Sequence, residues 1–349
     1  RVRDILASAP PISRSRMDTR FQEINQWLRQ VLGPQPFAIE PASADASFRR
    51  YFRIKMQNGA RTFMVMDAPP QREDCARYLA IAQRLQQAGL NVPRTEAADL
   101  ERGFLLLTDL GTLLYLHQLC ADNAERLYGD AIAALLLMQG RAQTDCLPVF
   151  GSELLQRELA LFRDWLLEQH LGLRLTAKQE NHLVSSFGCL SKCFSQQPRV
   201  FVHRDYHSRN LVCNGEQNPG ILDFQDAVLG PITYDLVSLL RDCYIKWPED
   251  RVNSWCLDYF RQARALRLLP NMEEQEFVRC VDLTGVQRHL KAAGIFCRLY
   301  HRDGKAGYLQ DLPRTLSYVV EVAARHPPIA ALGEFIANEV MPRLERRFA

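Results

Sequence analysis

A short stretch in the middle of the chain combines residue types that can move a proton and bind a cation. It contains His203, Arg204 and Asp205, continues to Asn210 and is followed after a turn by Asp223. Phosphoryl transfer needs Mg²⁺ held by hard oxygen ligands and a carboxylate that orients the attacking hydroxyl and accepts its proton. Two acids and an amide at this spacing supply that set. We therefore predict that Asp205 is the catalytic base and that Asn210 and Asp223 bind Mg²⁺.

The elements around these residues can bring them together. Apolar runs within residues 200–224 predict two short strands that bracket a polar loop and a turn at 214–220. Side chains on a small sheet of this kind can converge on one face. The alternative is that all three are ordinary turn residues, because Asp and Asn are common in loops. Their joint spacing favours phosphoryl transfer.

The amino-acid composition indicates which classes of protein the chain can belong to. The chain has 349 residues, of which 47% are hydrophobic and 24% charged, which is typical of a globular protein with two domains or lobes. The net charge is only +3, and no basic run or interleaved arginine and aromatic tract is present. A nucleic-acid groove is therefore not indicated, and a small-molecule partner is expected.

The ten cysteines contain no CxxC pair, and the closest two, Cys189 and Cys193, are four residues apart. This pattern indicates neither a zinc site nor a disulfide framework. The sequence also lacks a secretory segment and an apolar run of about 18 residues, so we expect a cytoplasmic protein with no membrane association. Residues 1–16 are interpreted as a disordered extension or cloning remnant, with Met17 as a possible native start.

The coarse pattern predicts an α+β fold with two lobes. In the smaller lobe, residues 17–108, we predict the helix 18–32, strands 48–56 and 62–67, the helix 73–88 and strands 94–98 and 103–108. Helical patterns dominate the larger lobe, residues 109–349, at 112–119, 124–141, 152–170, 176–194, 233–244, 252–266, 273–300, 312–325 and 332–348. The predicted site residues Asp205, Asn210 and Asp223 fall in a short β insertion of this lobe.

Several strings resemble a known superfamily. The segments H-R-D-Y-H-S-R-N-L at 203–211, I-L-D-F-Q-D-A at 221–227 and G-P-I-T-Y-D-L at 230–236 resemble the aminoglycoside phosphotransferase and choline kinase-like superfamily. Others are similar to the bacterial anomeric kinases of N-acetylmuramate and N-acetylglucosamine in cell-wall recycling: F-R-R-Y-F-R at 48–53, V-M-D-A-P-P at 65–70, F-L-L-L-T-D-L-G at 104–111 and Y-D-L-V-S-L-L-R-D at 234–242. The resemblance runs from about Met17 to the C-terminus. It implies a protein-kinase-like fold, ATP and Mg²⁺, and a sugar α-1-phosphate product of peptidoglycan recycling.

The resemblance also implies nucleotide contacts in the small lobe. The turn between the first two strands would cover the phosphates, which places the small residues 42–48 over the triphosphate. The residues of this turn that we assign to the nucleotide are Ser43, Asp45, Ser47 and Phe48. Adenine would hydrogen-bond the hinge backbone at Thr108, Asp109 and Leu110. The turn lacks glycine, so a plain polar turn is the alternative.

One position departs from the superfamily pattern. Asp67 occupies the place of the third-strand lysine that contacts the α- and β-phosphates, and Glu73 matches the partner of that lysine. A replacement cation is expected among Arg49, Arg50, Arg53 and Lys55 of the preceding strand. We favour Arg49, because it is nearest the turn. The alternative is that these are solvated charges of an edge strand.

The residues that would contact the acceptor substrate are less clearly indicated by the sequence motifs. We assign His207, Asp226 and Arg241 as candidate substrate contacts, while Asp235 and His203 are expected to brace the loop. The alternatives are that His207 also orients the loop and that Asp226 is simply exposed to solvent. The predicted partner is a small amino sugar, with no nucleic acid, membrane or obligate protein partner. Basic residues of the helical lobe would suit the lactyl carboxylate of muramate: Arg241, Arg288, His289 and His301.

Three alternatives to this function remain open. One is another acceptor of the same superfamily, such as an aminoglycoside, choline or homoserine. A second is an inactive nucleotide-binding module, suggested by Asp67. A protein kinase is disfavoured, because Gly230-Pro231 leads directly into a helix where an activation segment would be required.

Overall fold

The computed structural model describes residues 14–44, 48–57, 59 and 61–348. The chain divides into two compact units. Unit 1 contains residues up to Gln87 together with Asn91–Thr112, and unit 2 contains Ala88–Leu90 and Leu113 onward. The division after Thr112 lies four residues beyond the boundary predicted at 108.

Unit 1 is built on an antiparallel sheet of five strands. The strands are β1 (Phe37–Ala44), β2 (Arg50–Met56), β3 (Thr62–Asp67), β4 (Thr95–Asp99) and β5 (Phe104–Thr108), and the order in the sheet is β1-β2-β3-β5-β4. Two helices accompany it, α1 (Arg14–Leu32) and α2 (Cys75–Gln87). Strand β1 was missed by the sequence analysis, because Pro41 and three alanines weaken the strand signal. Its pairing with β2 supplies the tertiary support that the local sequence lacks.

The apolar face of α1 covers this sheet. Ile24, Trp27 and Leu28 pack with buried residues of the central strands: Phe52, Ile54, Met56, Val65, Phe104 and Leu106. The helix begins at Arg14, so residues 14–16 are helical rather than part of the predicted disordered extension, and residues 1–13 lie outside the described residues. Gly103 has a φ of +73°, and a Cβ there would overlap the Ala68 carbonyl oxygen. The turn that enters β5 therefore requires glycine.

Unit 2 is mainly helical. Its helices are α3 (Tyr115–Gln118), α4 (Ala124–Arg141), α5 (Ser152–Leu161), α6 (Ala177–Gln196), α7 (Thr233–Leu240), α8 (Glu249–Ala265), α9 (Glu274–Asp303), α10 (Leu312–Ala323), α11 (Ala330–Phe335) and α12 (Met341–Phe348). Wider π-helical turns, Phe162–His170 and Ile336–Val340, follow α5 and α11. No helix in the described part of the chain is long and apolar enough to cross a membrane.

Helix α9 is the longest element and is buried along most of its length. Gly294 lets it approach the end of α5 closely, since a Cβ at that position would lie 2.3 Å from the Leu161 carbonyl carbon. This contact fixes the position of the helix that carries Arg288 and Lys291.

Two small sheets interrupt the helices. Strand β6 (Arg199–Val202) pairs with β9 (Val228–Pro231), and β7 (Leu211–Val212) pairs with β8 (Gly220–Ile221). The sequence analysis predicted the β insertion but missed β9, whose Gly and Pro are unfavourable strand residues. The predicted helix 112–119 is reduced to α3, and α7 ends at Leu240 rather than at 244.

Candidate active site

The 203–210 loop joins β6 to β7 and carries Asp205 and Asn210. The Asn210 amide nitrogen donates to the Asp205 backbone carbonyl at 2.9 Å, and the Asn210 carbonyl accepts from the Leu222 amide at 2.9 Å. Asp223 follows directly, so the backbone brings the three predicted residues to one end of the small sheet. The loop and the hairpin thus bring the backbone of the three residues together, while the convergence of their side chains and their roles stay predictions.

The loop is braced from behind by two buried carboxylates. Asp235 of α7 accepts from the backbone amides of His203 at 2.6 Å and Arg204 at 3.0 Å. Asp242 accepts from the backbone amide and the hydroxyl of Ser208. These bonds satisfy amides that would otherwise be buried without partners. The prediction that Asp235 braces the loop is confirmed, whereas Asp242 was assigned no role from the sequence.

His203 links the loop to the strand that leads to Asp223. Its Nδ1 accepts from the Asp205 amide at 3.2 Å and its Nε2 lies 2.9 Å from the Leu222 carbonyl. This pattern requires a neutral ring with the proton on Nε2. Burial also lowers the pKa of His203, which keeps the ring neutral. The predicted orienting role of His203 is thereby confirmed.

Asp205 is half-buried, and no described donor is hydrogen-bonded to its carboxylate. Burial by itself would raise the pKa of Asp205, but the positive charges of Lys291, Arg288 and Arg204 outweigh it and hold the pKa below its ordinary value. The carboxylate is therefore ionised at neutral pH. It can orient a hydroxyl group and accept its proton.

Two of these cations share one buried acid. Glu158 of α5 pairs with Arg204 at 2.7 Å and with Lys291 at 3.3 Å, and Lys291 also donates to the Tyr234 hydroxyl at 3.0 Å. Sequence reasoning missed Glu158 and Lys291. The available signal was a lysine on a helix whose neighbours are apolar, because a charge buried there needs a partner.

Asn210 and Asp223 offer oxygen atoms of the kind that Mg²⁺ prefers. Because the Asn210 Nδ2 is bound to the Asp205 carbonyl, Oδ1 is the atom of that side chain able to face a cation. Asp223 has a φ of +61°, and one of its oxygens accepts from Gln225 at 2.8 Å. The residues fit a magnesium ion whose other ligands come from phosphate and water. In the described ranges no group of three or more His, Cys, Asp or Glu could hold a metal by itself.

The candidate acceptor residues have different surroundings. The His207 Nδ1 is buried without a partner, and burial lowers its pKa to about 4. Asp226 is exposed three residues beyond Asp223. Arg241 is buried and forms an ion pair of 2.6 Å with Asp282, which gives it a structural partner away from the loop. Contacts of all three with substrate stay predictions.

In unit 1, Asp67 is fully buried and is neutralised by two arginines. Arg20 donates to it at 2.6 Å, and Arg50, directly opposite on β2, also pairs with it. The acid at the expected lysine position is thus part of a structural ion-pair network. The Arg49 guanidinium, of which 8% is exposed, lies 3.6 Å from the Glu73 carboxylate. Arg49, which lies directly before β2 rather than on the predicted strand, is thus held beside Glu73, and its contact with the nucleotide phosphates stays a prediction.

The other predicted nucleotide contacts in unit 1 are only partly described. Ser43 belongs to β1, so residues 42–44 form a strand rather than the predicted turn, and Asp45 and Ser47 lie outside the described residues. The Phe48 ring is 57% exposed, and the Arg72 guanidinium lies 4.3 Å from its centroid. These nucleotide contacts stay predictions.

The predicted hinge residues follow β5. The Thr108 hydroxyl accepts from the Arg94 amide at 2.9 Å, and the Asp109 carboxylate pairs with Arg53 at 2.6 Å. Burial would raise the pKa of Asp109, but hydrogen bonds from Arg53 and the Gly111 amide lower it. The Asp109 side chain is thus engaged within unit 1. A nucleotide contact through the backbone of Thr108, Asp109 or Leu110 stays a prediction.

Sequence comparisons identify relatives along most of the chain. A profile described as a phosphotransferase enzyme family matches residues 38–275. The chain is 46% identical over 334 residues to the N-acetylmuramate/N-acetylglucosamine kinase of Pseudomonas aeruginosa, covering 92% of this chain and 97% of that protein. It is 40% identical over 322 residues to the protein of the same name from Neisseria meningitidis, with coverages of 91% and 95%.

Solved structures share the fold at low identity. The choline kinase of Streptococcus pneumoniae superposes with a TM-score of 0.61 at 11% identity, covering 87% of this chain and 99% of that chain. An ADP-bound aminoglycoside phosphotransferase gives a TM-score of 0.56 at 14% identity, with coverages of 86% and 98%. The predicted protein-kinase-like α+β fold is confirmed. With the family profile covering residues 38–275 and curated relatives matching over nine-tenths of the chain, the chain belongs to the phosphotransferase enzyme family.

Proposed function

We propose that this enzyme transfers the γ-phosphoryl group of ATP to the anomeric hydroxyl of N-acetylmuramate and N-acetylglucosamine, giving the sugar α-1-phosphates in peptidoglycan recycling. The observation that carries the proposal is the ionised Asp205 at the end of the small sheet, next to Asn210 and Asp223, in a chain 46% identical to a kinase of these two sugars.

In the proposed reaction Asp205 orients the sugar hydroxyl and takes its proton. The anomeric oxygen forms a bond to the γ-phosphorus, the bond from that phosphorus to the β–γ bridging oxygen breaks, and ADP leaves. A carboxylate with a lowered pKa is a weak base, but an anomeric hydroxyl is a stronger acid than an ordinary alcohol. Orientation and electrostatic stabilisation therefore supply most of the rate.

Mg²⁺ would be held by Asn210 and Asp223, and it would neutralise charge on the phosphates of ATP. On the nucleotide side, Arg49 beside Glu73 supports the proposal that this arginine, directly before β2, replaces the third-strand lysine. Its fork can bind two phosphate oxygens, which a lysine cannot do in the same geometry.

The ten free cysteines support a reducing compartment, so we propose that the reaction occurs in the cytoplasm. The partner in the reaction is the small amino sugar itself.

The test is incubation of the purified protein with Mg·ATP and, separately, N-acetylmuramate, N-acetylglucosamine, glucose, choline and kanamycin. ADP release and phosphorus NMR of the product are measured. A sugar 1-phosphate signal from the two N-acetylated sugars is expected. Turnover only with choline or kanamycin would keep the kinase activity and overturn the acceptor. Binding of ATP without turnover of any acceptor would favour an inactive module.

A further inference from the structure

The residue before Asn210 has unusual surroundings for an arginine. The Arg209 guanidinium carbon lies 4.8 Å from the centroid of the Tyr244 ring and 5.3 Å from that of Tyr308. Two aromatic rings thus hold one planar cation, an arrangement that limits the rotamers of a side chain that is otherwise flexible. Arg209 is half-buried, so the residue is partly accessible from solvent.

Arg209 also differs from other cations of unit 2 in its electrostatic pairing. Arg204 and Lys291 pair with Glu158, and Arg241 pairs with Asp282. Arg209 has no carboxylate within salt-bridge distance in the described ranges, although it lies in the same loop as Asp205. Asp311, whose pKa responds to the charge of Arg209, is paired with Arg314 at 2.8 Å.

The two tyrosines are fixed by contacts of their own. The Tyr244 amide donates to Asp242 at 3.0 Å, the same acid that binds Ser208 of the loop. The ring of Tyr244 lies 5.6 Å from that of His207, while Tyr308 stacks on Phe296 at 5.7 Å. Tyr244 therefore lies next to both Arg209 and His207, two residues of the loop that carries Asp205.

From these observations we infer that Arg209, held between Tyr244 and Tyr308, binds the carboxylate of an acidic acceptor and selects the sugar that carries one. The inference rests on the proposed function, in which the two acceptors differ by the D-lactyl ether of N-acetylmuramate. A guanidinium with restricted rotamers and no acid partner loses little entropy on forming a bidentate pair with a carboxylate. N-acetylglucosamine has no such group and gains nothing from Arg209.

Arg288 is the competing residue for this role. It too lacks a carboxylate partner among the residues described, and its Nε has no hydrogen bond. Only 5% of Arg288 is exposed, and its Nη1 contacts the Cys243 sulfur at 3.8 Å. Its charge acts on Asp205 from the interior. Arg209 is the more accessible of the two, and the test compares them directly.

The experiment measures kcat and KM for both sugars in the parent enzyme and in Arg209→Gln, Arg209→Lys and Arg288→Gln. For Arg209→Gln we expect kcat/KM for N-acetylmuramate to fall by about 30-fold, mostly through KM, because a charge-assisted bidentate pair is lost. We expect the ratio of the two kcat/KM values to fall by at least about tenfold, with Arg209→Lys intermediate because it keeps the charge without the fork.

A neutral ester of the lactyl carboxylate provides the second readout. The ester should be phosphorylated equally well by the parent enzyme and by Arg209→Gln, which a merely structural role of Arg209 would not produce. Arg302→Gln is the matched control, since Arg302 is exposed and pairs with its neighbour Asp303.

An equal fall for both sugars, an unchanged ratio, or a change of ratio in Arg288→Gln alone would overturn the inference. Turnover of neither sugar by the parent enzyme would instead overturn the proposed function, so the two failures are distinguishable. If Arg209→Gln does not fold, Tyr308→Leu removes one ring face and should raise KM for N-acetylmuramate selectively.

Discussion

The 203–210 loop of unit 2 and the arginines at the start of β2 in unit 1 both hold charged side chains in fixed positions, but they do so in different ways. In the loop, chemically active side chains follow one another in sequence, and buried acids hold their backbone. At the start of β2, neighbouring arginines pair with separate acids: Arg49, directly before the strand, with Glu73, Arg50 with Asp67, and Arg53 with Asp109. The residues of the loop can therefore be recognised from their spacing in the sequence. The partners of the arginines cannot, because they lie on other elements of unit 1.

The comparison predicts that the largest effect comes from the loop. Asp205→Asn should lower kcat by about 10³-fold, because it removes the proton acceptor, and should change Mg·ATP affinity by less than about threefold. A coupled ADP assay and calorimetric titration measure the two quantities. Asp122→Asn is the control, since Asp122 is exposed. Activity within tenfold of the parent enzyme would remove Asp205 from the mechanism.

The second prediction concerns the acid at the position of the missing lysine. Asp67→Lys should lower the free energy of unfolding by about 3–5 kcal/mol, because it replaces a buried anion shared by Arg20 and Arg50 with a third cation. Urea denaturation measures the change. Glu101→Lys on an exposed turn of the same unit should change it by less than about 0.5 kcal/mol. A folded Asp67→Lys protein with improved ATP affinity would contradict this assignment.

A smaller effect on ATP binding separates Arg49 from the cations of β2 that follow it. Arg49→Gln should raise KM for ATP by about tenfold and leave KM for the sugar unchanged, because the charge-assisted bonds to phosphate are lost. Initial-rate kinetics with each substrate varied measure both constants. Lys55→Gln is the matched control, because Lys55 pairs with Glu40 on the exposed side of the strand. Equal effects in the two variants would leave the replacement cation unassigned.

The smallest expected effect is on the pH dependence of stability, and it tests the buried histidine His289 of unit 2. Burial lowers the pKa of His289 to about 3, so the unfolded chain binds a proton below its ordinary pKa of about 6.5 and the folded chain does not. His289 therefore contributes stability above pH 6.5 that is lost as the pH falls towards 3. The parent protein should lose about 1 kcal/mol more than His289→Gln between pH 7.5 and 5.5.

Urea titrations at both pH values measure that difference. The glutamine variant keeps a donor for the Arg241 carbonyl, to which the His289 Nε2 lies at 2.8 Å. Identical pH dependence in the two proteins would show that His289 is protonated in the folded state as well.

The position of the 203–210 loop could be predicted from the sequence, because the residues that define it lie close together along the chain. Asp205, Asn210 and Asp223 are separated by one loop and one hairpin, and the short strand pairing of Leu211 with Ile221 brings them together. The amphipathic patterns of α1 and α4 were equally local, since each helix presents an apolar face with the helical period.

What could not be predicted depends on contacts between distant residues. Strand β1 forms despite Pro41 because β2 pairs with it, and β9 forms because β6 does. The partners of Asp67 and of Lys291 lie 47 and 133 residues away in the sequence, in Arg20 and Glu158. No spacing rule identifies such pairs, because they exist only once the helices and strands have packed.

The bracing of the 203–210 loop has a consequence for the order in which the protein assembles. Its backbone amides at His203, Arg204 and Ser208 donate to Asp235 and Asp242, more than 30 residues further along the chain. A nascent or partly unfolded chain in which α7 has not docked therefore holds the full motif without the geometry to use it. Kinase activity therefore requires that the helical unit has finished folding.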